Sequence, residues 1–291
     1  MSAAEALIQE LSPRCTFPPA GTEAIAAVSG GADSLALLVL ACEAGVAVTA
    51  VHVDHGLRPG SAEEADVVAA AARRFGAEFR AERAAVADGP DLEQRARIAR
   101  RAVLGQDAMT GHTEDDQAET LLINLMRGAG PAGLAAMAPG PTHPILAIRR
   151  SETAALCRAV GLAPVVDHSN LDPRFQRNRV RRELMPLLAD ISNRDPVPLL
   201  ARTARRAREV QTGIEQLAAD VDPTDTRALA GQPSAIVNEA LRRWLVDDRG
   251  HPPSSAELAR VLAVVRHDAV ACELAGGRRV VRRAGVLRLE G

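Results

Sequence analysis

Residues 24–28, "AIAAV", form a short unbroken apolar run, and apolar residues then dominate a longer stretch from Asp33 to Cys42. A run of strand length bounded by turn residues reads as a buried strand, and the longer one as a helix. The alternation recurs down the first half of the chain. "VAVTAVHV" (46–53) is a β-branched strand, Ser61–Phe75 is helical, "AEFRAE" is a short strand, "DLEQRARIARRAVL" is a helix that Asp91 can cap, and "QDAMTG" is another short strand. "TEDDQAETLLINLMR" follows as a helix, with Thr113 and Asp116 at capping-box spacing. Serial strand–helix units predict an α/β fold, a parallel sheet with helices on both faces. Ligands of such sheets gather at the carboxyl ends of the strands. The glycine turn after the first strand, the "VDHGLRPG" loop and the "TGHTEDD" loop all fall there.

From about Pro196 the pattern becomes helical. "PVPLLARTARRAREVQTGIEQLAADV", "SAIVNEALRRWLVDD" and "SAELARVLAVVRHD" are three helix candidates, and "RRVVRRAGVLRLEG" reads as two strands around Ala284-Gly285. Two domains are expected, residues 1–209 and a smaller, mainly helical 210–291 that closes with a hairpin.

Composition narrows the chemistry. Acids and arginines interrupt every apolar stretch, so no membrane span is expected. The N-terminal "MSAAEALIQELSPR" is acidic where a signal peptide is basic. Cys15, Cys42, Cys157 and Cys272 are far apart and form no CxxC, which signals neither a zinc site nor a disulfide framework. These features point to a soluble, cytoplasmic protein. The chain has no lysine, so all 35 basic residues are arginines. That excludes a Walker-type phosphate loop and Schiff-base chemistry. With no tyrosine and 2% aromatic residues, base stacking on an aromatic platform is disfavoured. The net charge of −2 conceals a segregation: ten arginines against three acids lie between Arg174 and Arg208, a local excess of seven that suits a polyanion.

Between the first strand and its helix stands Ser29-Gly30-Gly31-Ala32-Asp33-Ser34. A glycine turn feeding a helix N-terminus presents free N–H groups and a helix dipole to an anion, and phosphate is the natural one. Asp33 repels a bare phosphate, so its role there would run through Mg²⁺, which takes carboxylate and phosphate oxygens together. The residues alone equally allow a tight turn with Asp33 as a helix cap. Asp116 and Glu119, three apart on a helix, share a face, and Asp115 lies four before Glu119. They suit an ammonium ligand, or simply an acidic first turn.

The glycine turn resembles the phosphate loop of the PP-loop, or N-type, ATP pyrophosphatases, of adenine nucleotide alpha-hydrolase-like fold. Three further stretches, "VHVDHGLRPGSAEEA" (51–65), "GHTEDDQAETLLINLMRGAG" (111–130) and "DHSNLDPRFQRNRVRRELMPLL" (167–188), together resemble the tRNA(Ile)-lysidine synthases. The resemblance implies ATP bound at Ser29, Gly30, Gly31, Ala32, Asp33 and Ser34, with Mg²⁺ on Asp33. It implies free L-lysine bound at Asp115, Asp116 and Glu119. Asp33, Arg97 and Asp116 would be catalytic, Arg97 and its neighbour Arg100 lying in a helix like the family's arginine-bearing one. The substrate would be a tRNA(Ile) with a CAU anticodon, met by Arg177, Asn178 and Arg181. Arg202, Arg205 and Arg206 of the basic region add tRNA contacts. A tRNA thiolase or a non-catalytic nucleotide-binding relative is the rival reading; scattered cysteines speak against the first, and the retained acids against the second.

Overall fold

A computed structural model describes residues 2–54, 61–84, 99, 102–165, 172–248 and 250–291. The chain divides into two compact units, Met1–Arg205 and Arg206–Gly291.

In the first unit β1 (Glu23–Ala27), β2 (Ala47–Asp54), β3 (Glu78–Arg83) and β4 (Met109–Thr110) form one sheet in the order β3-β2-β1-β4. Every pairing is parallel: Ala26 stands opposite Ala50 on one side and Met109 on the other. Alternate side chains divide between the two faces, as strand geometry requires. Ala24, Ala26, Val48 and Ala50 join the larger core with Leu35, Leu37, Leu38 and Leu156, while Ile25, Ala27, Val51 and Val53 pack with Leu104 and Ala108. Helix α1 (Ala3–Leu11) supplies Leu11 to that larger core. Helix α2 (Ala32–Glu43) is buried on all sides from Ser34 to Ala41, which explains why its sequence is apolar all round rather than striped. Helix α3 (Ser61–Arg74) adds Val68, Ala71 and Ala72.

The chain runs outward from β1 through β2 to β3, then returns to place β4 on the far side of β1. The connections therefore diverge between β1 and β4, and that divergence opens a crevice at the strands' carboxyl ends. Three helices reach this region: α4 (Glu114–Met126), α5 (Arg150–Ala159) and the short α6 (Gln176–Arg179). A π turn, Val180–Leu184, joins α6 to α7 (Met185–Ser192), with Met185 N–H donating to the Val180 carbonyl. Val180, Leu184, Met185 and Leu188 pack on Leu121, Leu122 and Ile123 of α4.

Helix α8 (Val197–Ala219) carries the boundary between the units. The second unit adds α9 (Thr226–Ala230), α10 (Ser234–Trp244) and α11 (Ser255–Val265) around a core of Leu229, Leu241, Leu245, Val261, Val264, Val280 and Leu287. Its sheet has three antiparallel strands, β5 (Ala271–Glu273), β6 (Arg279–Arg283) and β7 (Val286–Glu290), rather than the expected two. At three residues, β5 is too short to show an alternating pattern. The β6–β7 turn has Ala284 and Gly285 at φ 50° and 82°, the left-handed pair that a two-residue hairpin needs.

Candidate active site

The loop after β1 is built to expose backbone amides. Gly30 takes φ +84°, a conformation that costs glycine little. Its carbonyl accepts from Val165 N–H at 2.9 Å, and an added Cβ would stand 3.2 Å from Val165 Cγ2. Gly31 is the N-cap of α2 and supplies no side-chain cap, so the first amides of the helix face the loop without one. Ser34 Oγ donates to the Gly31 carbonyl at 2.9 Å and accepts from Ser29 N–H at 3.1 Å. In this structure the Ser34 hydroxyl fastens the loop.

The strand across the crevice fits against this loop. A Cβ on Gly111, just after β4, would lie 2.8 Å from the Asp33 carbonyl oxygen and 3.0 Å from Ser34 N. Only glycine permits that approach. Two residues on, Thr113 caps α4 reciprocally: Asp116 Oδ2 accepts from Thr113 N–H at 2.9 Å and from Thr113 Oγ1 at 2.7 Å. The cap uses one Asp116 oxygen and leaves Oδ1 facing the crevice.

What faces Oδ1 is an arginine that sequence reasoning did not single out. Arg150, at the start of α5, donates from Nη2 to Asp116 Oδ1 at 2.9 Å and from Nη1 to Glu119 Oε1 at 3.1 Å, and its Nε lies 3.4 Å from Asp33 Oδ2. Thr153, one turn later, donates to Asp33 Oδ1. Arg181 closes on the same acids with a fork, Nε to Glu119 Oε1 at 2.7 Å and Nη2 to Oε2 at 3.0 Å, and reaches Asp116 Oδ1 at 3.4 Å. The Glu119 side chain is 2% exposed beneath them.

Asp33, Asp116 and Glu119 are thus brought together, and Arg181 joins them. Asp115 lies beside the cluster, its Oδ2 held by Arg150 N–H at 2.9 Å and Arg149 Nε at 3.1 Å. Arg177 donates to Thr120 Oγ1 at 2.6 Å and stands 3.7 Å from Glu119 Oε2. Asn178 is buried and donates to the Asp172 carbonyl. Arg202, Arg205 and Arg206 lie exposed on α8. Arg97 and Arg100 lie outside the described residues, as do Asp91 and 167–171 of the third stretch.

The electrostatics differ sharply between neighbouring acids. Burial pushes the Asp33 carboxyl above its ordinary value and the nearby Asp116 charge adds to this, against the pull of Thr153 and Arg150. Burial presses Asp116 the same way, but Arg150, the Thr113 hydrogen bonds and His112 outweigh it and hold that carboxyl low. Among the described residues, no three of His, Cys, Asp and Glu converge as a self-contained metal site. Asp33 can nonetheless share a hard cation with phosphate oxygens on the adjoining loop. The crevice can therefore take an anion on amides at one end and cations on carboxylates at the other.

Comparison with known proteins bears on the family and the fold. Residues 5–188 match the family described as a PP-loop domain, and residues 225–288 match the TilS substrate binding domain. The tRNA(Ile)-lysidine synthase of Nocardia farcinica is 40% identical over 86% of this chain and 83% of its own length. That of Gloeobacter violaceus is 35% identical over 88% and 86%. In fold, the chain is similar to the U34-tRNA thiolase of Methanococcus maripaludis, at a TM-score of 0.55 and 17% identity over 70% of this chain and 79% of that one. No helix among the described residues is long and apolar enough to cross a membrane. With two family signatures in chain order and relatives matched over most of their length, this chain belongs to the tRNA(Ile)-lysidine synthase family.

Proposed function

We propose that this chain joins free lysine to C2 of the wobble cytidine in a tRNA(Ile) with a CAU anticodon, consuming ATP. The observation that carries the reading is the juxtaposition at the β1–β4 crevice of an amide-lined phosphate loop with the buried acids Asp116 and Glu119. In the first step the cytidine O2 attacks the α-phosphorus, an O–P bond forms, and pyrophosphate leaves. In the second the lysine ε-amine, having lost a proton, attacks C2, and the C–O bond to AMP breaks as the C–N bond forms.

The chain's residues serve these steps at separate places. Amides from Gly30 to Ala32 receive the phosphates. Asp33 would hold Mg²⁺, which neutralises phosphate charge when bound. Asp116 and Glu119 give an ammonium its counter-charge; carboxylates this close also keep the amine protonated until the adenylate has formed. Arg177 and Arg181 turn toward Glu119, so a direct role at tRNA phosphates falls more naturally to Arg202, Arg205 and Arg206.

The rival thiolase chemistry finds little support in the cysteines. All four are free, and among the described residues no three of them converge. Pyrophosphate release and incorporation of labelled lysine, with ATP and tRNA(Ile) transcript present, decide between the readings. Lysine-dependent labelling of the tRNA is expected. Pyrophosphate release without any lysine incorporation would overturn the reading.

A further inference from the structure

The acids assigned to the amine substrate are already in use. Asp116 and Glu119 both hold Arg150 and Arg181, and the Asp116 oxygen that Arg150 does not touch is committed to Thr113. An ammonium entering this cluster needs the positions now filled by guanidinium nitrogens.

The two arginines hold them differently. Arg181 grips Glu119 with two parallel bonds, the strongest form of such a pair. Arg150 makes one bond to each of three carboxylates, Asp33, Asp116 and Glu119, at 3.4, 2.9 and 3.1 Å. Single bonds to three carriers are individually easier to exchange. Arg150 also has somewhere to go, because Asp33 lies on the phosphate loop and a guanidinium there turns onto phosphate oxygens without leaving the crevice. If Arg150 moves, Asp116 Oδ1 loses its 2.9 Å partner and keeps only the longer 3.4 Å contact from Arg181, and one lone pair of Glu119 Oε1 comes free while Arg181 keeps Glu119 neutralised.

We propose that Arg150 is a specificity-determining stand-in for the amine substrate: its guanidinium fills the ammonium position at Asp116 and Glu119 until lysine displaces it toward the nucleotide phosphates beside Asp33. This rests on the reading of those acids as the lysine site. A competitor tethered in the site sets a threshold for entry. A ligand has to bring a full positive charge on a stem long enough to reach buried carboxylates, so neutral amines gain nothing by entering. The same exchange delivers a cation to the phosphate at the moment the amine arrives, where it can stabilise charge on the departing AMP.

The test is the lysine KM and kcat of Arg150→Gln, measured with ATP and tRNA saturating. Removing a competing cation lowers KM by about tenfold, the scale of one charge-assisted hydrogen bond, while kcat falls because the phosphate loses its partner. A residue that merely shapes the site, or one that helps to hold lysine, would leave KM unchanged or raise it, and either result overturns the proposal. Should circular dichroism show that Arg150→Gln does not fold, Arg150→Lys keeps the charge but cannot span all three carboxylates with one ammonium. Its lysine KM is then expected below that of the unaltered enzyme, and an equal or higher value overturns the proposal. If the unaltered enzyme itself transfers no lysine, the functional reading fails and takes this inference with it. Lysine transfer with an unchanged KM in the variant overturns the inference alone.

Discussion

Burial lifts the Asp33 carboxyl above its ordinary range. A carboxyl raised on folding favours the fold most below its unfolded pKa, and that contribution is lost as pH rises through the folded value. Asp116 has the opposite sign. Despite its burial, Arg150 and Thr113 hold it low, so its contribution is present above the unfolded pKa and is lost as pH falls through the folded one. Ionised Asp33 is thus a burden to the fold at neutral pH, and ionised Asp116 is a support. Asp33→Asn should melt at or above the temperature of the unaltered protein at neutral pH, with the gap closing as pH drops to the Asp33 titration and below. The same variant should release no pyrophosphate from ATP and tRNA. A clearly lower melting temperature at neutral pH would show that the Thr153 and Arg150 bonds matter more than the buried charge.

At the scale of elements, the site depends on how closely two loops approach. Gly111→Ala puts a methyl group 2.8–3.0 Å from backbone atoms of Asp33 and Ser34. Backbone on both sides leaves little room to yield. Overpacking of this kind costs about 1–3 kcal/mol, and the displaced atoms belong to the first turn of α2. Thermal melting should show the loss, and titration with Mg·ATP should show weaker binding; normal nucleotide affinity would mean that the loop moves aside at no cost. Much of this geometry was legible in the residues. Gly30 and Gly31 marked the turn that leads from β1 into α2, and the Thr113/Asp116 spacing foretold a cap that the structure contains. Arg150 was not legible. Its partners lie 31 to 117 positions away, and "RR" at 149–150 looks in sequence like any solvated pair. The π turn escaped for a related reason, since a helix-period pattern does not reveal one extra residue.

At the scale of the whole molecule, described arginines of the basic region differ in what they face. Arg174 and Arg179 pair with Asp172 and Glu183, and Arg177 and Arg181 turn toward Glu119. Arg202, Arg205 and Arg206 lie exposed along α8 with no ion pair among the described residues. The excess of seven charges counted in sequence therefore overstates what the surface offers a polyanion. Replacing these three with Gln should weaken tRNA binding at every salt concentration. Plotted as log affinity against log salt, the slope should become shallower by roughly 0.7–0.9 for each phosphate that no longer has an arginine partner. An unchanged slope would assign these side chains to solvent. Sequence read the α/β pattern of the first half and the helical second half because each has its own hydrophobic period. Counting charge could not tell these arginines apart, because pairing is decided in three dimensions.

The π turn at Val180–Leu184 also bears on insertions and deletions. Each residue of an α-helix advances the chain by about 100°, whereas a π turn absorbs one residue beyond what that phase requires. Deleting exposed Arg182 should let the turn relax to α-helix with both flanks keeping their angular positions, so that Val180 on one side and Leu184, Met185 and Leu188 on the other still meet α4. Inserting one alanine after Arg182 has no such reserve, and would swing Arg177 and Asn178 about 100° out of phase with α7. The deletion should melt within a few degrees of the unaltered protein and the insertion far below it, an asymmetry that a regular helix would not produce.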